Sequence, residues 1–106
     1  MTKTIRSLLV LAAAACLAGA MGLAQSSGQA VYRAHCQGCH GANGVASPGM
    51  AKMMGIKPVT DPAIKKLTEA QMFTAVKNGK GKMHPFAGKL TDPQIKAAVA
   101  YYRGLK

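Results

Sequence analysis

Cys36-Gln37-Gly38-Cys39-His40 constrains this chain more than any other feature. The two thiols stand three residues apart, so a bond between them could not clamp distant parts of a fold. Whatever they do is local. The only other cysteine, Cys16, lies in an N-terminal stretch of different character. A close thiol pair has three ordinary readings: a local disulfide, a redox dithiol, or half of a zinc site. A redox Cys-x-x-Cys is expected beside a βαβ unit. Here no stretch alternates apolar and polar residues over a strand's length. A structural zinc needs four ligands. Beyond His40 the sequence offers only His35 and His84, at no recognised spacing.

The N-terminal stretch reads as an address. Lys3 and Arg6 precede a uniformly apolar run from Leu8 to Leu17, and small residues follow to Ala24. A basic start, an apolar centre of about 7–15 residues and a small-residue exit describe a secretory signal peptide. Gly22-Leu23-Ala24 supplies the cleavage site. The rival is an uncleaved anchor, but the charge-free run is rich in Ala and Gly and at the lower edge of what spans a bilayer. Removal of residues 1–24 leaves residues 25–106 as one domain. It contains only Cys36 and Cys39 as cysteines, and sets 12 Lys and Arg against 3 Asp and Glu. The whole chain has no Trp and is only 5% aromatic. Domains this small usually need a disulfide, a metal or a cofactor to complete a core.

Three helices are legible in the remainder. Ser26-Ser27-Gly28-Gln29 resembles a capping box, opening a helix to about Gln37 with Val31, Ala34 and His35 on one face. Thr68-Glu69-Ala70-Gln71 opens a second, with Met72, Phe73 and Val76 inward and Asn78-Gly79 as its stop. Thr91-Asp92-Pro93-Gln94 opens a third, with Ile95, Ala98, Val99 and Tyr102 at helical spacing. The segments between are Gly- and Pro-rich loops, with a short helical turn around Met50 to Met54. Loops of that length in so small a domain are expected to line something.

One staple accounts for the cysteine spacing. Thiols about one helical turn apart reach the two vinyl groups along one edge of a haem. The next residue, His40, is then carried under the ring and can place an imidazole nitrogen on the iron. On these residues the chain resembles a class I cytochrome c, in its small bacterial monohaem form. The resemblance covers nearly all of residues 26–106. It includes the helix leading into Cys36–Gly41, the segment Gly79-Lys80-Gly81-Lys82-Met83-His84-Pro85-Phe86, and the last helix with its Ala100-Tyr101-Tyr102-Arg103 ending. It implies an all-α fold of three main helices and two long loops wrapped around one covalently attached haem c. It also implies crossed terminal helices, with Tyr101 or Tyr102 packed against the face holding Val31 or Ala34.

The sixth ligand must be chosen among Met50, Met53, Met54, Met72 and Met83. Met72 falls on a helix's apolar face, and Met53 and Met54 read as pocket wall. Met83 sits in a flexible-looking Gly- and Lys-rich loop that can fold over the ring's other side. The resemblance also implies Met83, within a Met-Pro-x-Phe type run. His84 departs from that run, because Pro commonly follows the Met. It opens the alternative of a His40/His84 haem of lower potential beside the plainer reading of an exposed loop residue. His35 reads as a pocket-edge or surface residue. By resemblance, the Pro48 carbonyl accepts the second ring N–H of His40, although Ser47-Pro48-Gly49 reads equally as an ordinary turn. Phe86 is expected against the haem-facing side of the Met83 loop, and Tyr102 beside the pocket.

The expected function is that of a soluble periplasmic one-electron carrier, with no catalysis on a substrate because both axial positions of the iron are filled. Its excess of Lys, including Lys52, Lys57, Lys80, Lys82 and Lys89 on the two loops, suits transient docking to acidic redox partners. Export argues against nucleic acid as the partner of this basic domain. A monomer without stable membrane insertion is expected after cleavage. Two alternatives share the motifs: a haem subunit of a periplasmic oxidoreductase complex, for example a sulfur-oxidising one, and a five-coordinate haem sensor of small ligands.

Overall fold

The computed structural model describes residues 28–106. The expected signal peptide and cleavage site, and Ser26 and Ser27 of the expected first capping box, lie outside the described residues. Among the described residues the fold is helical and contains no named strand. Helix α1 covers residues 28–35 and breaks at Cys36; α2 (Gln37–His40) follows directly. Helices α3 (Pro48–Met54), α4 (Pro62–Lys65), α5 (Glu69–Asn78) and α6 (Asp92–Arg103) complete the order. The all-α architecture expected from the sequence is the one observed.

Short polar and proline signals start four of these helices. Thr68 and Gln71 form a reciprocal capping box on α5, with bonds of 3.1 and 2.9 Å. Thr91 and Gln94 do the same on α6 at 3.3 and 2.8 Å. Ser47 caps α3 and Asp61 caps α4, each followed by Pro at the first helical position, where the missing N–H is no loss. Gly55 ends α3 in the left-handed conformation at φ 67°. The α3 helix is therefore longer than the turn expected at Met50 to Met54, and α4 has no counterpart in the sequence reading.

The core is one cluster: Val31, Met72, Phe86, Leu90, Ile95, Ala98 and Val99, with Ile64, Leu67, Phe73, Val76 and Tyr102 packed around it. One expectation for α1 needs correction. Ala34 is exposed, as is His35, and Val31 shares its buried face with Tyr32 instead, which is only 1% exposed. The reason is rotational: the face toward α6 is set by the residues at 28, 31 and 32, one helical spacing apart.

Helix α1 meets α6 at backbone distance. A Cβ added to Gly28 would stand 2.5 Å from the Ala97 carbonyl oxygen. Four residues further along each helix, the Tyr32 ring meets Tyr101 at a centroid distance of 5.2 Å. Tyr102 lies 6.1 Å from Tyr32. The crossing was expected; its partner residue on α1 is Tyr32. Helices α5 and α6 run antiparallel, and an ion pair closes each end: Glu69 with Arg103 at 3.7 Å, and Lys77 with Asp92 at 3.1 Å. In each pair an acid in a first turn meets a base in a last turn, matching both helix dipoles. All four side chains are well exposed, so these pairs set orientation more than stability.

The Gly28 contact yields a test of sign. Gly→Ala inside a helix ordinarily gains about 0.5–1 kcal/mol, and Gly49→Ala in α3, where a Cβ meets nothing within 4 Å, should show that gain. Gly28→Ala should instead lose about 1–3 kcal/mol through overpacking. Denaturant midpoints of the two variants should move in opposite directions, and movement in the same direction would rule out the close α1–α6 contact.

Candidate haem-binding site

The thiol motif is wound as a single turn. The Cys36 amide donates to the Tyr32 carbonyl at 2.9 Å, and the His40 and Cys39 amides both donate to the Cys36 carbonyl, at 2.9 and 3.2 Å. Residues three and four apart in such a turn share a side, so Cys36, Cys39 and His40 are presented together. Both cysteines are half-buried free thiols. Burial, with Cys39 as a lesser contributor, pushes the Cys36 thiol up to about 11. Redox dithiols and reactive cysteines have thiols pulled well below their ordinary value. The environment of Cys36 is the opposite of that.

His40 is half-buried, and burial lowers its pKa. The neutral imidazole is the form that ligates a metal. Its Nδ1 atom is buried and has no hydrogen-bond partner. The expected bond to the Pro48 carbonyl is therefore not made. Pro48 is the first residue of α3, and a carbonyl there points along the helix axis toward the next turn. An unpartnered buried polar atom costs about 1–3 kcal/mol, so the polypeptide alone leaves this ring incompletely satisfied. Two free thiols and a neutral histidine presented on one turn fit a covalently held haem. Cys36 and Cys39 would attach it and His40 would ligate its iron. Among the described residues no three His, Cys, Asp or Glu side chains gather as a metal cage.

The turn is held in place by aromatic contacts. Tyr102 meets the His40 ring edge-on at 5.5 Å. The Tyr32 hydroxyl donates to the carbonyl of Gly41, the residue after His40, at 2.6 Å. Tyr32 therefore joins the α1–α6 crossing to the end of the thiol–histidine turn. The sequence reading did not single it out. The available signal was a large ring four residues before Cys36, one helical turn upstream on the same face.

The second loop is a tight hairpin. Lys80 and Met83 exchange both backbone hydrogen bonds at 3.0 Å around Gly81 and Lys82. Gly79 has φ 79°, and a Cβ there would stand 2.8 Å from the Met83 carbonyl oxygen. The loop is sewn to the end of α5 by Phe86 and Ala87, whose amides donate to the Val76 and Lys77 carbonyls at 3.1 Å. Phe86 is buried in the core cluster and anchors the loop from below, with the exposed His84 and His35 rings at 5.1 and 6.3 Å from it. Met83 is half-buried at the top of this hairpin, and His84 faces solvent. Met54 is half-buried, but Met53, expected with it along the pocket wall, is 59% exposed.

The helical fold and the thiol–histidine turn together define a small class I c-type cytochrome. The family model described as "Cytochrome C oxidase, cbb3-type, subunit III" matches residues 23–101, and the chain belongs to that family. It is similar to a cytochrome c6 of Leptolyngbya boryana, 36% identical over 76 residues, covering 72% of this chain and 86% of the relative. It is also 36% identical over 89 residues to a dihydro-heme d1 dehydrogenase of Pseudomonas aeruginosa; that match takes 80% of this chain but only 16% of the dehydrogenase. Among solved structures, the c-type cytochrome KustC0563 superposes with a TM-score of 0.67 at 30% identity, covering 74% of this chain and 96% of its own. Membership of this family makes the chain an electron-carrying haem protein with covalently bound haem c and iron.

Tyr32 gives the site a pH signature. Burial, then Tyr102, Cys36 and Tyr101, push its pKa from 10.0 up to about 12. Between these values the unfolded chain has lost the proton and the folded chain retains it, so stability falls as pH rises from about 10 to 12. Tyr32→Phe should flatten that fall in denaturation measured across the range. At neutral pH it should cost about 0.5–1.5 kcal/mol for the lost bond to Gly41. An unchanged alkaline slope would place Tyr32 outside the link to His40.

Proposed function

We propose that this chain is an exported one-electron carrier of the periplasm, matured by removal of residues 1–24, with haem on Cys36 and Cys39 and iron between His40 and Met83. The observation that carries it is the pairing of two independently anchored segments. The thiol–histidine turn is fixed by Tyr32 and Tyr102, and the Met83 hairpin is fixed by Phe86. Both anchors belong to, or pack on, one core. The match to a cytochrome c6 over most of that protein's length, against a small part of the dehydrogenase, supports a carrier over a catalyst. A haem subunit of a larger oxidoreductase is the second reading, favoured by the description of the matching family as an oxidase subunit.

The bound haem supplies a one-electron iron couple, raised in potential when His and Met are its axial ligands. The chain's own residues do the rest. Cys36 and Cys39 fix the ring to one helical turn. Burial keeps His40 neutral and therefore a ligand. Met83 would supply a second donor, whose soft sulfur would favour the reduced metal. The apolar core behind both segments excludes water.

Charge supports a docking role. All three acids sit at helix starts: Asp61 caps α4, Glu69 pairs with Arg103, and Asp92 pairs with Lys77. Among the described residues, ten of the twelve bases have no acid partner. That surface suits a monomer meeting acidic partners briefly.

Ligation is tested by spectroscopy of the ferric holoprotein. It should show the weak near-infrared sulfur-to-iron band, and Met83→Ala should remove it. Carbon monoxide should bind the reduced protein slowly. Loss of the low-spin spectrum with His84→Ala but not Met83→Ala would establish bis-histidine ligation. Rapid carbon monoxide binding to the wild type would establish an open site and a sensor.

Docking is tested by stopped-flow electron transfer to an acidic redox protein. The rate should fall steeply between about 0.01 and 0.1 M salt, as the screening length shrinks from about 30 to 10 Å. Lys80→Glu with Lys89→Glu should slow it at low salt more than Lys106→Glu. A salt-independent rate would favour the permanent subunit. Mass spectrometry of the exported protein should find Gln25 at the N-terminus.

A further inference from the structure

We infer that Lys82 is a positioning residue that latches the Met83 hairpin to α3, holding Met83 closed by its ammonium bond to the Met53 carbonyl. The inference rests on the proposed ligation by Met83 and concerns how long that ligand stays in place. The Lys82 Nζ atom donates to the Met53 carbonyl oxygen at 2.7 Å, across 29 residues of sequence. Among the described residues this is the one hydrogen bond that joins the first loop region, residues 41–60, to the second, residues 79–90.

The acceptor suits the donor. Met53 is the penultimate residue of α3, where helix carbonyls have no intrahelical partner and carry the negative end of the dipole. The Gly55 and Ile56 amides both go to Ala51 instead. Lys82 therefore caps a helix end from outside the helix. The donor side is equally placed. Lys82 immediately precedes Met83, and both belong to the four-residue turn that Lys80 and Met83 close. Every other tie of this hairpin runs down to α5, through the Phe86 and Ala87 amides. Those bonds fix its base. Only Lys82 ties its tip to the opposite wall.

The consequence is kinetic. With the base fixed, the hairpin can swing its tip outward only by releasing Lys82 from α3. An exposed ammonium bond is weak, so the latch slows opening by a small factor. Breaking it leaves the core, the thiol–histidine turn and the hairpin base intact.

The test uses the mature ferric holoprotein and added imidazole, which takes the iron only after Met83 has left. At saturating imidazole, Lys82→Met should exchange about two- to five-fold faster than wild type, the range expected for loss of one exposed hydrogen bond. Lys82→Arg, which keeps a long cationic donor, should stay close to wild type. Lys66→Met, which removes one charge elsewhere, should change nothing. Amide hydrogen exchange in residues 79–87 should rise by a similar factor in Lys82→Met, with the global denaturation midpoint unmoved. Wild-type rates in Lys82→Met, or equal acceleration by Lys66→Met, would overturn the latch. Absence of the sulfur-to-iron band in the wild type would overturn Met83 ligation itself, and so separates the two failures.

Discussion

A glycine laid against a carbonyl organises this small protein. The approach of Gly28 to Ala97 brings α1 and α6 closer than any side chain would permit. Four residues on, it drives Tyr32 between Tyr101 and the end of the thiol–histidine turn. The buried hydroxyl must find an acceptor, and it finds the Gly41 carbonyl. Position along α6 is thereby converted into position of His40. Tyr102, one residue past Tyr101, then lies against the imidazole edge. A domain with no Trp and few aromatic rings thus places all three of its tyrosines in one contact. The shortage of apolar mass is met where the prosthetic group must be held.

The second half of the site depends on a different economy. The Met83 hairpin has little buried surface of its own, and one deeply placed ring, Phe86, fastens it to the core. Its glycines do the rest. Gly79 and Gly81 adopt positive φ angles that other residues reach only with strain. Such a segment is fixed at its base to α5 and at its tip, through Lys82, to α3. That bracing suits the proposed role of Met83 as a ligand carried on a loop and not built into a helix.

Legibility in the sequence divided along physical lines. Capping boxes at Thr68 and Thr91 were readable because cap chemistry is local: a hydroxyl and an amide three residues apart satisfy each other with no outside help. The all-α class and the Cys36–His40 turn were readable for the same reason. The Ser47-Pro48 and Asp61-Pro62 starts use the same local grammar as Asp92-Pro93, yet α4 is not legible, because its four residues carry no periodicity to announce a helix. What could not be read was rotation. Whether α1 buries Ala34 or Tyr32 depends on where α6 crosses it, and that is tertiary. The Pro48 carbonyl was an inference from resemblance, and helix α3 directs it elsewhere. Lys82 gave no sign of its bond to Met53, because nothing local distinguishes one loop lysine from the next.

The same lysine shows why net charge alone understates this surface. Each acid is consumed at a helix start, two of them in pairs that orient α5 against α6. Lys77 and Lys96 lie over the Phe73 ring at 5.6 and 5.9 Å, so part of the basic excess covers apolar surface. Lys82 is engaged with α3. Subtracting these leaves a smaller set of lysines whose ammonium groups make no bond among the described residues, Lys80 and Lys89 among them, on the hairpin and just beyond it. Mobile, hydrated charges of that kind speed encounter and add little to the lifetime of a complex. A carrier must release its partner as readily as it finds it. Placing the free charges beside the Met83 hairpin, while the bound ones keep the helices and the hairpin in register, separates attraction from adhesion.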